Sequence, residues 1–119
     1  MLAEIHGRIA VAVLLYMLIL GIWGIANFFR KVGVTPSYRG SLFIGEALTI
    51  IQLIFGVILV IDGYRPPDDL HYLYGVLVPM IIPFMYGYVR AQPKVRAAIF
   101  YGIATLFIFG LAIRAIMTG

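Results

Sequence analysis

Four long apolar runs divide the chain, and short polar segments separate them. The runs cover roughly residues 7–29, 42–61, 70–89 and 95–117. Each is close to the ~20 residues that a helix, rising about 1.5 Å per residue, needs to cross the hydrocarbon core of a bilayer. Irregular or strand-like spans are disfavoured because lipid cannot satisfy free backbone polar groups. The pattern therefore predicts a single all-α domain, residues 1–119, with four transmembrane helices.

The composition also indicates a membrane protein. Of the 119 residues, 63% are hydrophobic and 12% are charged, and the mean hydropathy is +1.04. A soluble domain carries about 25% charged residues, so lipid must be the solvent of this chain. The absence of cysteine excludes disulfides, thiolate metal sites and cysteine nucleophiles. The net charge of +4 does not indicate nucleic-acid binding, because in a membrane protein its meaning depends on which loops carry it.

The first apolar run is expected to remain in the mature protein as a helix. Residues 1–8 lack the basic start and the small-residue cleavage site of a signal peptide. The run itself is also too long for the core of a signal peptide.

The charges of the connections predict the direction in which the helices cross. The first and third connections carry or adjoin three cations each, whereas the middle one combines a single arginine with three aspartates. The positive-inside rule then places loops 30–41 and 90–94 in the cytoplasm and both termini outside. Short connections favour an up-down-up-down bundle in which the first and third helices lie diagonally. The expected location is the plasma membrane of a prokaryote.

The only two histidines lie where alternate runs begin. His6 precedes the first run and His71 opens the third, so an up-down bundle places both near the outer face at the same depth. Two neutral imidazoles that converge from facing helices suit a six-coordinate haem iron. Ala10 and Gly75 follow the histidines at i+4, on the same helix face, and leave room for a porphyrin. The pattern favours one haem b per chain, with His6 and His71 as the metal ligands.

Two other interpretations of the histidines stay open. Each histidine could be an interfacial side chain near the lipid headgroups. A metal site without haem is the second alternative, although zinc requires three or four ligands. Glu4, Asp68 and Asp69 lie near enough in the sequence to contribute carboxylates.

Three arginines expected at the outer face are candidates for binding the anionic haem propionates. Arg8 lies two residues after His6, Arg65 lies in the middle connection, and Arg114 lies on the last turns of the fourth helix. An arginine within an apolar span is costly and usually has a partner. Arg114 could equally extend its charged end to the headgroups.

Polar residues and prolines also occur inside the runs. Glu46 lies about one turn into the second run, where a carboxyl group is a functional candidate by default, either structural or part of a proton path. Gln52, near mid-membrane, is a candidate for a hydrogen bond between helices. Pro79 and Pro83 are expected to kink the third helix.

Several short segments resemble the haem A synthase family. Residues 4–8, Glu-Ile-His-Gly-Arg, are similar to the glutamate–histidine–arginine opening of a helix in that family, and residues 52–62 look like its next helix. An acidic, proline-containing loop followed by Leu70-His71 continues a similar order. The resemblance implies one four-helix half of a synthase, in a half-length form that associates as a dimer, or a related small b-type cytochrome bundle.

The resemblance also implies a catalytic carboxylate, for which Glu4 is the weak candidate. The family places this glutamate three residues before the histidine, whereas Glu4 is two residues before His6. On a helix, one residue changes the direction of a side chain by about 100°. The pattern therefore supports the histidine pair more than it supports this carboxylate.

The function predicted from these features is haem b binding by two histidines near the outer face of the membrane. The haem would serve electron transfer or haem A synthase-like oxidoreductase chemistry. The alternatives are a non-catalytic structural subunit of a larger respiratory or photosynthetic complex, and a small dimeric transporter that uses Glu46. The expected partners are membrane lipid, a second copy or a larger membrane complex, and a redox protein whose identity stays open.

Overall fold

The helices form where the apolar runs predict them. The computed structural model describes residues 1–119 and contains five helices: α1 Leu2–Phe29, α2 Pro36–Ile61, α3 Leu70–Leu77, α4 Ile81–Val89 and α5 Lys94–Thr118. A 3-10 turn, Val78–Met80, links α3 and α4 into one span, Leu70–Val89. All four spans are long and apolar enough to cross a membrane, which confirms the predicted all-helical, multi-pass architecture.

Helix α2 begins earlier than its apolar run, at Pro36 instead of near residue 42. Thr35 caps the helix, and its hydroxyl oxygen accepts a hydrogen bond from the backbone nitrogen of Tyr38 at 3.1 Å. Proline at the first helical position needs no hydrogen-bond partner there. The buried Tyr38 hydroxyl donates to the carbonyl of Leu20 at 2.9 Å, so this polar first turn is held against α1.

The two prolines of the third span have different effects. Pro79 lies in the 3-10 turn that interrupts the span, because proline cannot donate the backbone hydrogen bond of a continuous helix. Pro83 lies in the first turn of α4, where backbone N–H groups have no intrahelical acceptor. The expected break therefore occurs at Pro79, and the helix continues through Pro83.

The most extensive helix–helix contact is between α1 and α5. Glycines allow the two backbones to approach closely: a Cβ added at Gly102 would lie 2.9 Å from the backbone nitrogen of Ile25, and one added at Gly24 would lie 2.9 Å from the Cα of Gly102. Close approach between small residues is a principal source of helix association in lipid. The first and last spans therefore form the tightly packed pair of the fold.

The remaining spans pack less extensively around this pair. Helix α2 lies along α1, and the third span lies mainly against α5, with fewer contacts to α2. Direct contact between α1 and α3 is minimal.

The first and third connections lie side by side at one end of the molecule. The backbone nitrogen of Val34 donates to the carbonyl of Lys94 at 3.1 Å. Gly33 has a φ of +80°, and a Cβ there would lie 2.8 Å from the carbonyl carbon of Lys94. The buried Asn27 side chain donates to the Gly33 carbonyl at 3.1 Å. These contacts bring the two basic connections together.

Candidate functional site

The rings of His6 and His71 lie next to each other at the opposite end of the bundle. Their centroids are 6.2 Å apart and their planes are inclined by 77°. At this separation and inclination the two rings lie edge to face, within the range of about 4.5–7 Å of aromatic pairs.

A hydrogen bond to α5 determines which nitrogen of His71 is free. Nδ1 of His71 lies 2.8 Å from the carbonyl oxygen of Ala115, and the Thr118 hydroxyl lies 3.4 Å from the same nitrogen. Because a carbonyl only accepts, Nδ1 carries the hydrogen, and in the neutral ring Nε2 keeps its lone pair. A metal-ligating histidine commonly donates its second N–H to a backbone carbonyl in this way.

His6 is held by two residues one turn apart on α2. The Gln52 amide nitrogen donates to the backbone carbonyl of His6 at 2.7 Å, which confirms the predicted hydrogen bond between helices. A Cβ added at Gly56 would lie 3.2 Å from Cε1 of His6, so this glycine makes room for the ring. Nδ1 of His6 and Oε1 of Gln52 are both buried and have no hydrogen-bond partner.

A cavity of about 660 Å³ adjoins the two rings. Cavities that bind cofactors and similar ligands measure about 300–1,000 Å³. Ala10 and Gly75, the small residues expected beside the histidines, line it. A Cβ added at Gly75 would meet no atom within 4 Å, so the cavity is open on that side. Its lining comes from all four spans and from the Tyr64–Pro67 segment, and it is largely apolar.

Only one of the three candidate arginines lines the cavity. Arg65 lies at its edge and donates to the carbonyls of Val60 and Tyr64, at 2.8 and 2.9 Å. This interaction caps the end of α2. Arg8 instead pairs with Glu4 at 2.8 Å, with side chains 79% and 66% exposed, and neither lines the cavity.

Arg114 interacts with an aromatic ring instead of the cavity. Its guanidinium carbon lies 5.7 Å from the centroid of the Tyr74 ring, which is a cation–π distance. The partner that an arginine in an apolar span requires is therefore a tyrosine of α3. The structure thus separates Arg8, Arg114 and Glu4 from the residues that line the cavity.

A conventional protein-only metal site is not formed. No group of three or more His, Asp or Glu side chains lies close enough to hold a metal ion, whereas zinc takes three or four protein ligands. Asp68, one of the carboxylates considered for such a site, accepts a hydrogen bond from the backbone nitrogen of Leu70 at 2.9 Å. Among the side chains that line the cavity, only the imidazoles of His6 and His71 have a nitrogen lone pair available to a metal ion.

Gln52 and Gly56 were not among the residues expected at the cofactor site. Both line the cavity and both contact His6. Their spacing of i and i+4 on α2 is the one signal that the sequence offers, because it places them on one helix face. Glu46, in contrast, does not line the cavity, although its Oε1 is buried without a hydrogen-bond partner.

No family model, curated protein or solved structure matches this chain. The resemblance to haem A synthases therefore stays a prediction from a few short segments.

Proposed function

We propose that this protein is a membrane haem-binding protein that holds one haem b between His6 and His71. The 6.2 Å separation of the two rings beside a cavity of about 660 Å³ carries the proposal. A haem would bring four iron-binding nitrogens of its own, so the protein would have to supply only two ligands, and His6 and His71 would hold the group.

The residues around the cavity fit such a group in three respects. His71 presents Nε2 because its Nδ1 is engaged by the Ala115 carbonyl. Ala10 and Gly75 keep the adjacent turns free of bulk. Arg65 lies at the edge of the cavity, in the connection between two spans, where it would meet the anionic propionates beside water.

The function that follows is single-electron transfer. When bound, the haem iron supplies exchange of one electron, and two histidine ligands leave no open position for oxygen or substrate. The protein's residues bind and orient the group and shield it from water. A haem A synthase-like reaction would require a second site, which a dimer of this chain would have to form.

The proposal includes an up-down-up-down arrangement in the plasma membrane of a prokaryote. Six of the nine cations lie in or beside the first and third connections: Arg30, Lys31, Arg39, Arg90, Lys94 and Arg96. Under the positive-inside rule this end is cytoplasmic and the histidine pair lies near the outer face. Because the chain has no cysteine, Gln92→Cys and Tyr64→Cys can be compared by labelling intact cells. We expect an impermeant reagent to label only Tyr64→Cys, and the reverse pattern would contradict this orientation.

A reduced-minus-oxidised spectrum of the detergent-purified protein, followed by extraction of the haem, tests the proposed function. We expect a six-coordinate, low-spin spectrum with one haem b per chain. The absence of a Soret band after haem is added to correctly folded protein would contradict the proposal.

A leucine at Gly75 is expected to exclude haem without unfolding the protein. The added side chain has open space at its Cβ, and Gly75 lines the cavity, so it occupies volume that the haem needs. We expect the haem content of Gly75→Leu to fall at least tenfold, with little change in thermal unfolding of the haem-free protein. Gly110→Leu is the matched control, since it also has open space but lies outside the cavity. Equal haem contents in the two variants would place the haem elsewhere.

A further inference from the structure

Two buried polar atoms beside the cavity lack hydrogen-bond partners. They are Nδ1 of His6 and Oε1 of Gln52. Buried polar atoms in folded proteins almost always have a partner, from the protein or from an ordered water. The missing hydrogen-bond partner of each of these two neighbouring atoms therefore needs an explanation.

Both atoms belong to one contact between α1 and α2. The Gln52 amide nitrogen donates to the carbonyl of His6 at 2.7 Å, so the amide oxygen is held close to the same residue. Gly56, on the same face of α2, lies against Cε1 of the His6 ring. His6, Gln52 and Gly56 all line the cavity, whereas the two polar atoms are themselves buried, so a group of the protein is the available partner for each.

The two atoms are chemically complementary. If Nε2 of His6 is the nitrogen that faces the cofactor, Nδ1 carries the hydrogen and needs an acceptor. The amide oxygen of Gln52 is such an acceptor. A primary amide can donate to the His6 carbonyl and accept at its oxygen at the same time, which neither leucine nor an ionised glutamate can do.

We propose that Gln52 is a positioning residue for His6: with the haem bound, its amide oxygen accepts the Nδ1–H of His6 and so directs Nε2 into the cavity. This inference rests on the proposed function. His71 obtains the same arrangement directly from the Ala115 carbonyl. The two ligands are therefore oriented by different means, one by a backbone carbonyl of α5 and the other by a side chain of α2.

The arrangement has a measurable effect on the cofactor. An acceptor at Nδ1–H fixes the orientation of the ligating ring and raises its basicity. A more basic ligand favours the oxidised, more positively charged iron. Removal of the acceptor should therefore raise the reduction potential, and a stronger acceptor should lower it.

The test compares Gln52→Leu and Gln52→Glu with wild type, using redox titration and haem affinity of the purified protein. We expect Gln52→Leu to bind haem about 10–100-fold more weakly and to have a higher midpoint potential. We expect Gln52→Glu, which retains an acceptor oxygen, to have a lower midpoint potential than wild type. Gln92→Leu makes the same change in the connection at the far end of the molecule and should match wild type in both measurements.

The outcomes separate this inference from the proposed function. A wild-type protein that binds no haem contradicts the function itself. A haem-binding wild type with an unchanged potential in Gln52→Leu overturns the role of Gln52 alone. A purely structural Gln52 would lower the yield of folded protein without moving the potential of the haem that is retained. If Gln52→Leu does not fold, a potential at or above wild type in Gln52→Glu overturns the inference.

Discussion

Replacement of either His6 or His71 by alanine is expected to abolish the six-coordinate haem spectrum. The chain contains no third histidine and no cysteine, and the cavity offers no further imidazole. Loss of a residue that only orients a ligand costs about 10–100-fold in metal affinity, so loss of the ligand itself should cost more. We expect each variant to retain little haem, and the retained fraction to be five-coordinate and high-spin. Absorption spectra and haem-to-protein ratios provide the measurement.

Two neighbouring substitutions serve as controls for this experiment. Ile5→Ala and Leu70→Ala remove an apolar side chain next to each histidine, and neither residue lines the cavity. Both should keep the wild-type spectrum. Because His71 also bonds to Ala115, thermal unfolding of the haem-free proteins should be compared as well. A normal six-coordinate spectrum in either histidine variant would show that the ligand assignment is wrong.

Alanine at Gly102 is expected to destabilise the folded protein. The added Cβ would lie 2.9 Å from the backbone nitrogen of Ile25 and 3.1 Å from the carbonyl oxygen of Gly21. Backbone atoms cannot rotate away, so α1 and α5 would have to separate. Overpacking of this kind costs about 1–3 kcal/mol. The measurement is the free energy of unfolding in detergent, followed by circular dichroism.

Gly110→Ala is the matched control on the same helix. A Cβ there meets no atom within 4 Å, and alanine is the better helix former by up to about 1 kcal/mol. We therefore expect Gly110→Ala to be as stable as wild type or slightly more stable. Similar destabilisation in both variants would mean that the α1–α5 contact is not the cause of the effect at Gly102.

The four spans could be predicted from the sequence because hydropathy over ~20 residues is a physical requirement of the bilayer. The start of α2 was missed because polar residues follow Thr35-Pro36 and the apolar run begins later. The Thr-Pro pair is itself a signal for the beginning of a helix, and it proved more informative than hydropathy at this boundary. The third span is interrupted at Pro79. The sequence indicates an interruption at a proline, but it does not show whether this occurs at Pro79 or at Pro83.

The neighbours of the histidines were harder to predict. The depth of a residue in the membrane follows from its position along its span. The sequence therefore predicts that His6 and His71 lie at the same depth. To predict which side of a helix faces its neighbours, the sequence must show a polar face and an apolar face. These spans are apolar nearly all round, so the sequence does not show which side faces inward. For this reason the sequence does not locate the contact between Gln52 and His6, and it does not indicate that Arg8 pairs with Glu4.

The contact between α1 and α5 has a consequence for biogenesis. The most extensive interface of the fold joins α1 to α5, and the other two spans lie between them along the chain, so this interface cannot form before α5 enters the membrane. Until α5 enters the membrane, the glycine surface of α1 lacks its partner, and His71 lacks the Ala115 carbonyl that orients its ring. The ring of His71 is therefore oriented only after α5 has entered the membrane, and a cofactor held by the histidine pair would be bound after that step.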